Sequence, residues 1–272
     1  AGLMAFFPAK LMGAKFFFDT RGLLADKYVG GRLLAENSPT YKLMRWLEDM
    51  LVGKSDYFTV ETHRHAEIIK GSFNGWSRKM DVIPCCIDTH KFDYSLSPDR
   101  FNRKDKFTLV YLGKVGTWYL VDEMFSFFKS VSKLIPYSHL TFLTESDAAC
   151  VYSGARKQGI TESKIEVKRA QAEDVPGLLA AANAGIFFIN PYKRYNSSPI
   201  KFGEYLACGL PVIINSGIGD CDEVVLGEKV GVVVSDFSHL AYEKAIKELN
   251  SLLSEGEALR ARCRKAAEKY FS

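Results

Sequence analysis

Several features that would assign a chain to a large protein class are missing from this sequence. No apolar run reaches the roughly 18 to 20 residues of a membrane-spanning helix, because Pro8, Lys10 and Lys15 interrupt the apolar N-terminal stretch. The six cysteines have no CxxC spacing, and this pattern indicates reduced thiols in a cytosolic protein. Lysine and arginine are interleaved with aspartate and glutamate, so no basic stripe indicates binding to DNA or RNA.

A large apolar fraction and a regular alternation of strands and helices are present instead. With 272 residues, 47% of them hydrophobic, the chain can bury the core of one large or two ordinary domains. From Asp81 onward, short apolar runs alternate with helical patterns, which is typical of a parallel α/β sheet. A stretch rich in Gly, Ser and Asn precedes Asp81, so we predict an N-terminal domain of residues 1–79 and a C-terminal domain of residues 80–272.

The apolar patterns also predict the individual elements. In the first domain we expect a buried helix at the N-terminus and strands at residues 15–18 and 57–61. The strands of the second domain are predicted at residues 107–112, 139–143, 165–168, 184–189, 212–214 and 230–234. The helices of that domain are predicted at residues 118–134, 148–157, 175–182, 199–207, 221–226, 240–253 and 257–271.

The loop of residues 190–198 and the helix after it carry a dense group of polar residues. Ligands of parallel sheets bind at the carboxyl ends of strands, and this loop leaves such an end. Pro199 suits the first turn of the helix, and Ser198 is placed to cap it. The free N–H groups and positive dipole of that helix end favour a phosphate. Lys201 and Glu204 share one face there, so a nucleotide or sugar nucleotide fits, although a Lys–Glu surface pair has the same spacing.

A second phosphate-binding loop is predicted after the first strand of the C-terminal domain. Residues 113–117, GKVGT, lie between a strand and a helix, where backbone N–H groups can hold a phosphate. The loop lacks the GxGxxG and GxxxxGK(S/T) patterns, which argues against a dehydrogenase or a P-loop protein. Both loops lie at the same edge of the sheet, so we predict that Lys114 and Lys201 together neutralise a diphosphate.

Two groups of residues resemble metal ligands, and we predict that neither binds a metal. His63 and His65 are two positions apart and would point in different directions on a helix. Asp220 and Asp222 match a DxD metal-binding motif. They immediately precede a helix, however, where Asp220 would serve as the N-cap and both charges would suit the helix dipole.

Residues 197–213, SSPIKFGEYLACGLPVI, resemble the donor-binding signature of the family 4 retaining glycosyltransferases, which have the two-domain GT-B fold. Three further stretches fall in the family's order: DVIPCCIDTHKF at 81–92, LVYLGKVGTWY at 109–119 and GIGDCDEVV at 217–225. The resemblance implies an α/β chain with a complete C-terminal doubly wound domain and a partial N-terminal Rossmann-like domain. It also implies transfer of a sugar from a nucleotide-diphosphate sugar to a glycan or lipid-linked acceptor with retention, without a metal or other cofactor.

The resemblance further implies roles for particular residues. Lys201, Lys114 and Asn196 occupy the catalytic positions. Donor binding is implied for Glu204, Ser198, Pro199, Ile200, Gly113 and Thr117, and an acceptor-side cleft for Asp19 and Arg21. From the pattern of residues alone, the last two also fit an internal ion pair.

Two positions depart from the pattern of the family. Lys114 stands where relatives have Arg, and Leu120 falls near their second Lys, so Lys201 is the candidate for the missing charge. Asn196 stands where many relatives have the first of two glutamates eight positions apart, and Glu204 matches the second. An amide can hydrogen-bond sugar hydroxyls but is not a carboxylate, so the sugar specificity is not carried over.

Two other functions fit the same residues. One is a non-catalytic nucleotide-sugar-binding subunit, and the other is a GT-B epimerase or phosphorylase that acts on sugar nucleotides. An apolar stripe with helical spacing contains Leu43, Trp46, Leu47, Met50 and Leu51. Core packing is its default interpretation, and peripheral membrane association is the functional one. We therefore expect a cytoplasmic protein, with the inner face of the membrane as a second expected location.

Overall fold

The chain contains two parallel β-sheets. The computed structural model describes residues 2–20, 22–72, 79–97, 106–116, 118–191 and 194–272. The chain divides into two compact units, and each unit contains one of the sheets. The first unit comprises Ala1–Cys85, Tyr192–Ser198 and Ile218–Asp220, and the second comprises Cys86–Pro191, Pro199–Gly217 and Cys221–Ser272.

The first unit is built from β1 (Phe17–Asp19), β2 (Tyr57–Val60) and β3 (Lys79–Val82), which pair in the order β1-β2-β3, all parallel. Its helices are α1 (Gly2–Leu11), α2 (Leu24–Gly30), α3 (Pro39–Lys54) and α4 (His63–Ser72). Buried side chains of α3, β2 and α4 form the core: Val52, Phe58, Val60, Ala66 and Ile69. The boundary that we predicted between residues 79 and 80 falls at the start of β3.

Helix α1 differs from the buried helix that its apolar sequence predicts. No residue of α1 is buried, and Met4 and Leu11 are 81% and 88% exposed. Phe6 packs edge-on against Phe16, with 5.3 Å between the ring centroids. The helix therefore contacts its unit along a narrow stripe. Mean apolarity cannot separate this arrangement from a helix that is covered on all sides.

The second unit is built from β4 (Phe107–Leu112), β5 (Ser138–Leu143), β6 (Ile165–Lys168), β7 (Ala184–Phe187), β8 (Val212–Asn215) and β9 (Gly231–Val234). These strands pair in the order β6-β5-β4-β7-β8-β9, and every pair is parallel. The chain adds strands outward from β4 on one side and then outward from β7 on the other. The order thus reverses between β4 and β7, and doubly wound sheets bind ligands at the carboxyl ends of strands at such a switch point.

Seven stretches of the second unit form α-helices in the described part of the chain: α5 (Val121–Leu134), α6 (Ala148–Lys157), α7 (Val175–Ala180), α8 (Ile200–Ala207), α9 (Cys221–Glu228), α10 (His239–Leu253) and α11 (Glu257–Phe271). Every residue of β7 and β8 is buried, as expected for inner strands with helices on both faces. Helix α11 packs on α8, with the rings of Phe202 and Phe271 5.3 Å apart. None of the helices in the described residues is long and apolar enough to cross a membrane.

Most predicted elements of the second unit match the structure closely. β4, β6, α6 and α11 have the predicted bounds. β7 ends two residues earlier than predicted because the backbone of Ile189 leaves the ladder. Its N–H donates to Oδ1 of Asn215 at 2.7 Å, and Ile189 forms an isolated antiparallel bridge with Tyr119.

The start of α8 also differs from the prediction. Pro199 is the N-cap residue rather than the first helical residue, and no side chain caps the helix. Ser198 does not cap α8, because its Oγ accepts a hydrogen bond from the backbone N–H of Cys85 at 3.0 Å within the first unit. The first N–H groups of α8 thus have no side-chain cap, which is the arrangement that anions use at helix ends.

The segment of residues 94–97 is attached to α11 within the second unit. The guanidinium of Arg260, on α11, donates hydrogen bonds to the backbone carbonyls of Tyr94 and Ser97. It also lies over the ring of Tyr94, 5.0 Å from the centroid. Arg260 is only 2% exposed, so these contacts replace water for a fully buried charge.

Candidate functional site

Lys201 is a buried cation at the start of α8. Its side chain is 8% exposed, and Nζ has no hydrogen-bond partner among the described residues. Burial lowers the pKa of Lys201 to about 7, against the opposing attraction of Glu204. A buried ammonium without a partner is unfavourable, and such groups concentrate where a ligand supplies the missing charge. The buried position excludes the alternative of an ordinary surface Lys–Glu pair.

Two tyrosine rings flank the ammonium of Lys201. Its Nζ lies 3.7 Å from the ring centroid of Tyr119 and 4.4 Å from that of Tyr111. The faces of aromatic rings carry partial negative charge, so both contacts favour the protonated amine. We call these two rings, Tyr111 and Tyr119, the aromatic pair.

The loop after β4 reaches the same lysine. Gly113 has φ +129°, a conformation that favours glycine, and a Cβ built at this residue would lie 2.6 Å from Nζ of Lys201. The Gly113 N–H donates to the carbonyl of Leu143 at 2.9 Å. The hydroxyl of Tyr111 donates to the Lys114 carbonyl at 2.6 Å. Tyr111 therefore contacts both Lys201 and the backbone of the loop after β4.

The structure thus brings together Lys201 and the backbone of the predicted phosphate loop. The side chain of Lys114 is exposed, unlike that of Lys201. Thr117, which we predicted as a donor-binding residue, lies outside the described residues. Ile200 is 52% exposed at the first position of α8, next to the Pro199 cap.

Tyr205 fixes the distance between α8 and the end of β4. Its side chain is fully buried, and its hydroxyl accepts the backbone N–H of Leu112 at 2.7 Å. Gly185 on β7 makes room for this ring, because a Cβ at Gly185 would lie 2.5 Å from Cδ2 of Tyr205. Sequence reasoning missed Tyr111, Tyr119 and Tyr205 as contributors to the site. The available signals were the aromatic residues of the LVYLGKVGTWY stretch for Tyr111 and Tyr119 and the tyrosine of SSPIKFGEYLACGLPVI for Tyr205.

Glu204 lies one turn after Lys201 on the same helix. Burial raises the pKa of its carboxyl group, while attraction by Lys201 and Lys91 opposes that rise. Glu204 therefore provides a half-buried acceptor close to a buried cation. This combination suits a ligand that carries both hydroxyl and phosphate groups.

Three other predicted site residues belong to the first unit. Asn196 is 1% exposed, and neither its Oδ1 nor its Nδ2 has a hydrogen-bond partner among the described residues. A Cβ at Gly22 would lie 3.4 Å from Nδ2 of Asn196, so the loop after β1 approaches this amide. Asp19 accepts a hydrogen bond from Oγ1 of Thr59 at 2.7 Å and thereby ties β1 to β2. Arg21 lies outside the described residues.

Asp220 and Asp222 have separate structural partners. The Asp220 carboxylate accepts the backbone N–H groups of His63 and Arg64 at 2.6 and 3.1 Å, so it caps α4. Our prediction that it caps the helix that follows it, α9, is therefore wrong. Sequence adjacency does not identify which helix end a side chain reaches. Asp222 accepts the N–H of Gly217 at 2.9 Å, and the described residues contain no group of three or more His, Cys, Asp or Glu placed to hold a metal.

The sequence profile described as glucosyltransferase 3-like, C-terminal domain, matches residues 124–257 of this chain. A search of curated protein sequences found no match. The structure is similar to that of sucrose-phosphate synthase from Thermosynechococcus elongatus, with a TM-score of 0.76 and 16% identity over 100% of this chain and 67% of that chain. The fold is the GT-B fold of glycosyltransferases. This confirms the predicted fold class.

Two more GT-B structures resemble this chain. WaaG, a glycosyltransferase involved in lipopolysaccharide biosynthesis, has a TM-score of 0.71 and 16% identity over 93% of this chain and 70% of its own. Anabaena HepE in complex with UDP-glucose has a TM-score of 0.69 and 13% identity over 100% of this chain and 72% of its own. Identities this low establish the GT-B fold and not the activity. In the second unit of this GT-B chain, Lys201 and Gly113 lie at the β4/β7 switch point.

Proposed function

We propose that the protein is a family 4 glycosyltransferase that moves a sugar from a nucleotide-diphosphate sugar to a glycan or lipid-linked acceptor with retention. The observation that carries the proposal is the buried, unpartnered Lys201 ammonium beside Gly113 at the switch point of the second sheet. A diphosphate would supply the missing negative charge. A binding panel of UDP, GDP, ADP and their glucose derivatives, scored by thermal shift, tests it. The absence of any stabilisation by these ligands would contradict the proposal.

The proposed role of Lys201 is electrostatic. The leaving nucleoside diphosphate gains negative charge as the glycosidic bond breaks, so a fixed cation stabilises the transition state more than the bound donor. The uncapped N–H groups of α8, which follow Pro199 and Ile200, and the loop of Gly113, Lys114 and Thr117 would bind the same phosphates. For the first unit, we propose that Asn196 contacts the transferred sugar and that Ser198 contributes to donor binding. Asp19 and Arg21 are proposed for the acceptor side.

The comparisons support a uridine nucleotide as the first donor to test. HepE is described in complexes with UDP and with UDP-glucose, and the matching profile is named for a glucosyltransferase. These ligands belong to those proteins. For this chain, UDP-glucose is a proposed donor, and the panel compares it directly with the guanosine and adenosine derivatives.

Glu204 is expected to bind the hydroxyl groups of the donor ribose. Replacing Glu204 with alanine should weaken nucleotide binding by about 1.5 to 3 kcal/mol, the range for hydrogen bonds to a charged group. Calorimetry with UDP measures this change, and Glu223→Ala on α9 is the matched control with unchanged affinity. Equal affinity of the folded Glu204→Ala protein and wild type would remove Glu204 from the site.

Donor binding is expected to survive chelation of divalent metals. We propose that helix N–H groups and lysines hold the diphosphate, so no metal has to bridge it. Calorimetric titration of UDP with and without EDTA should give the same Kd. A marked loss of affinity in EDTA would reassign Asp220 and Asp222 as candidate metal ligands.

A non-catalytic nucleotide-sugar-binding subunit is the second candidate, and Asn196 favours it because an amide stands in a position where many relatives have glutamate. Both candidates bind the donor, so affinity cannot separate them. A measurement of nucleoside diphosphate release from a bound nucleotide sugar separates the two candidates. Steady release that Lys201→Ala suppresses supports the enzyme, whereas tight binding without release supports the subunit.

We also propose peripheral association with an anionic membrane face through the first unit. Besides the exposed Leu43 and Trp46 of α3, α1 and its following turn expose Met4, Leu11 and Met12. An open cavity of about 630 Å³ in the same unit is lined by Lys10, Lys15, Lys54, Lys79, Ser55, Asp56 and Tyr57. Apolar side chains beside an excess of lysine are typical of interfacial binding.

Sedimentation with vesicles tests this association. Wild type should bind vesicles that contain phosphatidylglycerol and not pure phosphatidylcholine vesicles, because the lysines require anionic lipid. The Lys10→Glu/Lys15→Glu protein should lose most of this binding, whereas Lys244→Glu/Lys247→Glu on α10 should retain it. Equal sedimentation of the two double variants would contradict an interface at α1.

A further inference from the structure

The aromatic pair contacts the ammonium of Lys201. We infer that Tyr119 and Tyr111 are positioning residues that keep the Lys201 ammonium charged and directed towards an incoming diphosphate. The inference rests on the proposed function for the identity of that anion. The contact itself is independent of it: Nζ lies over both rings, at 3.7 and 4.4 Å from their centroids, and has no hydrogen-bond partner among the described residues.

A ring has an advantage over a carboxylate at this place. A carboxylate in contact with Lys201 would stabilise the ammonium, but it would also repel the diphosphate and compete with it for the cation. An aromatic face stabilises the cation through its quadrupole while carrying no net charge. The positive charge therefore remains available to the ligand. The aromatic pair thus favours the ammonium form of a lysine that is only 8% exposed and whose Nζ has no hydrogen-bond partner among the described residues.

The charged and titratable groups around Lys201 come from several elements. Tyr111 lies on β4, Lys114 follows it in the loop, and Tyr119 precedes α5. Glu204 and Tyr205 lie on α8 itself, and attraction by Lys91 acts on Glu204. Burial disfavours the ammonium, and the attraction of Glu204 favours it. Burial also raises the pKa of the Glu204 carboxyl, which reduces its ability to act as the full counterion.

Tyr111 gives the arrangement a second function. Its ring contacts Lys201, and its hydroxyl donates to the Lys114 carbonyl at 2.6 Å. One side chain therefore sets the position of the cation relative to the backbone of the phosphate loop. Because Tyr111 is fully buried, its replacement would disturb packing, so Tyr119, which is only partly buried, is the residue to substitute.

The direct test is the titration of Lys201 followed by NMR of the lysine ε-carbons in protein labelled with ¹³C-lysine. The Lys201 signal is assigned by its absence in Lys201→Met. Loss of a desolvated cation–π contact should move the Lys201 titration midpoint about one pH unit lower in Tyr119→Leu. Tyr119→Phe, which keeps the ring, should retain the wild-type midpoint. Tyr119→Gln serves as a second variant without a ring.

Equal midpoints in wild type, Tyr119→Leu and Tyr119→Gln would overturn the inference, since the rings would then not stabilise the charge. A purely structural role for Tyr119 would change stability without moving the midpoint. The same proteins are titrated with UDP between about pH 6 and pH 9. The affinity should begin to fall about one pH unit lower in Tyr119→Leu than in Tyr119→Phe. If wild type binds no UDP, the proposed donor fails while the midpoints still decide the role of the aromatic pair.

Discussion

Replacing Lys201 with alanine is expected to lower donor turnover by roughly 100-fold or more, the scale observed when one preorganised electrostatic group is removed. The effect on turnover should exceed the effect on donor affinity, because charge on the leaving diphosphate grows towards the transition state. Turnover is measured as release of nucleoside diphosphate from the nucleotide sugar that binds best. Lys244→Ala, which removes an exposed lysine of α10, should leave turnover unchanged. Near-normal turnover in Lys201→Ala would show that other groups neutralise the phosphates.

Although substitution of Lys201 is expected to lower turnover, an apolar residue at this position is expected to raise stability. Lys201→Met replaces a buried ammonium with an apolar side chain of similar length, so the free energy of unfolding should rise. The pKa of Lys201 is about 7 in the folded protein and near the ordinary 10.5 when unfolded. Between these values the unfolded chain binds more protons, so wild-type stability rises with pH across this window.

The stability gained by Lys201→Met should therefore be greatest at and below pH 7 and should disappear as the pH approaches 10.5. Its largest value is on the order of 3 to 5 kcal/mol. Urea unfolding at several pH values in this range measures the difference between the two proteins. A gain that does not depend on pH would show that better packing, and not the buried charge, causes it. Loss of turnover together with a gain in stability would identify Lys201 as a functional residue that is unfavourable for folding.

Replacing Arg260 with alanine is expected to lower the free energy of unfolding by about 3 to 5 kcal/mol. The substitution leaves the carbonyls of Tyr94 and Ser97 without their buried donor, and it opens a space beneath the ring of Tyr94. The segment of residues 94–97 would lose these contacts with α11, although Arg264 would still donate to the Phe92 carbonyl at 2.6 Å. Chemical denaturation followed by circular dichroism measures the effect.

Arg262→Ala on the same helix is the matched control for Arg260→Ala. Its side chain is 29% exposed, and it donates to the Lys229 carbonyl and to Glu255 at the surface. Its removal should therefore change stability by about 1 kcal/mol or less. Similar losses for the two variants would mean that burial of Arg260 adds nothing to the anchoring of the segment.

The local sequence was sufficient to predict the alternating elements of the second unit. The sequence of β4, FTLVYL, is short and mostly apolar and is followed by Gly113, and that of β6, IEVK, alternates apolar and charged residues, so the bounds of both strands follow from local patterns. The C-terminal end of β7 and the start of α8 cannot be predicted from local patterns, because partners distant in the sequence determine them. Oδ1 of Asn215 accepts a hydrogen bond from the Ile189 N–H. The backbone N–H of Cys85 donates to Oγ of Ser198, so this hydroxyl does not cap the helix.

By itself, the sequence determined the parallel α/β class, the resemblance to a donor-binding signature and the placement of Lys201 and Glu204 one turn apart on a helix. These properties depend on periodicity and on spacing within one element. Only the tertiary structure decided that Lys201 is buried between two tyrosine rings, that Gly113 faces its ammonium and that Asp220 caps α4 rather than the helix next to it. Each of these contacts joins residues from different elements, and their approach is set by strand order and packing, which a local pattern does not encode.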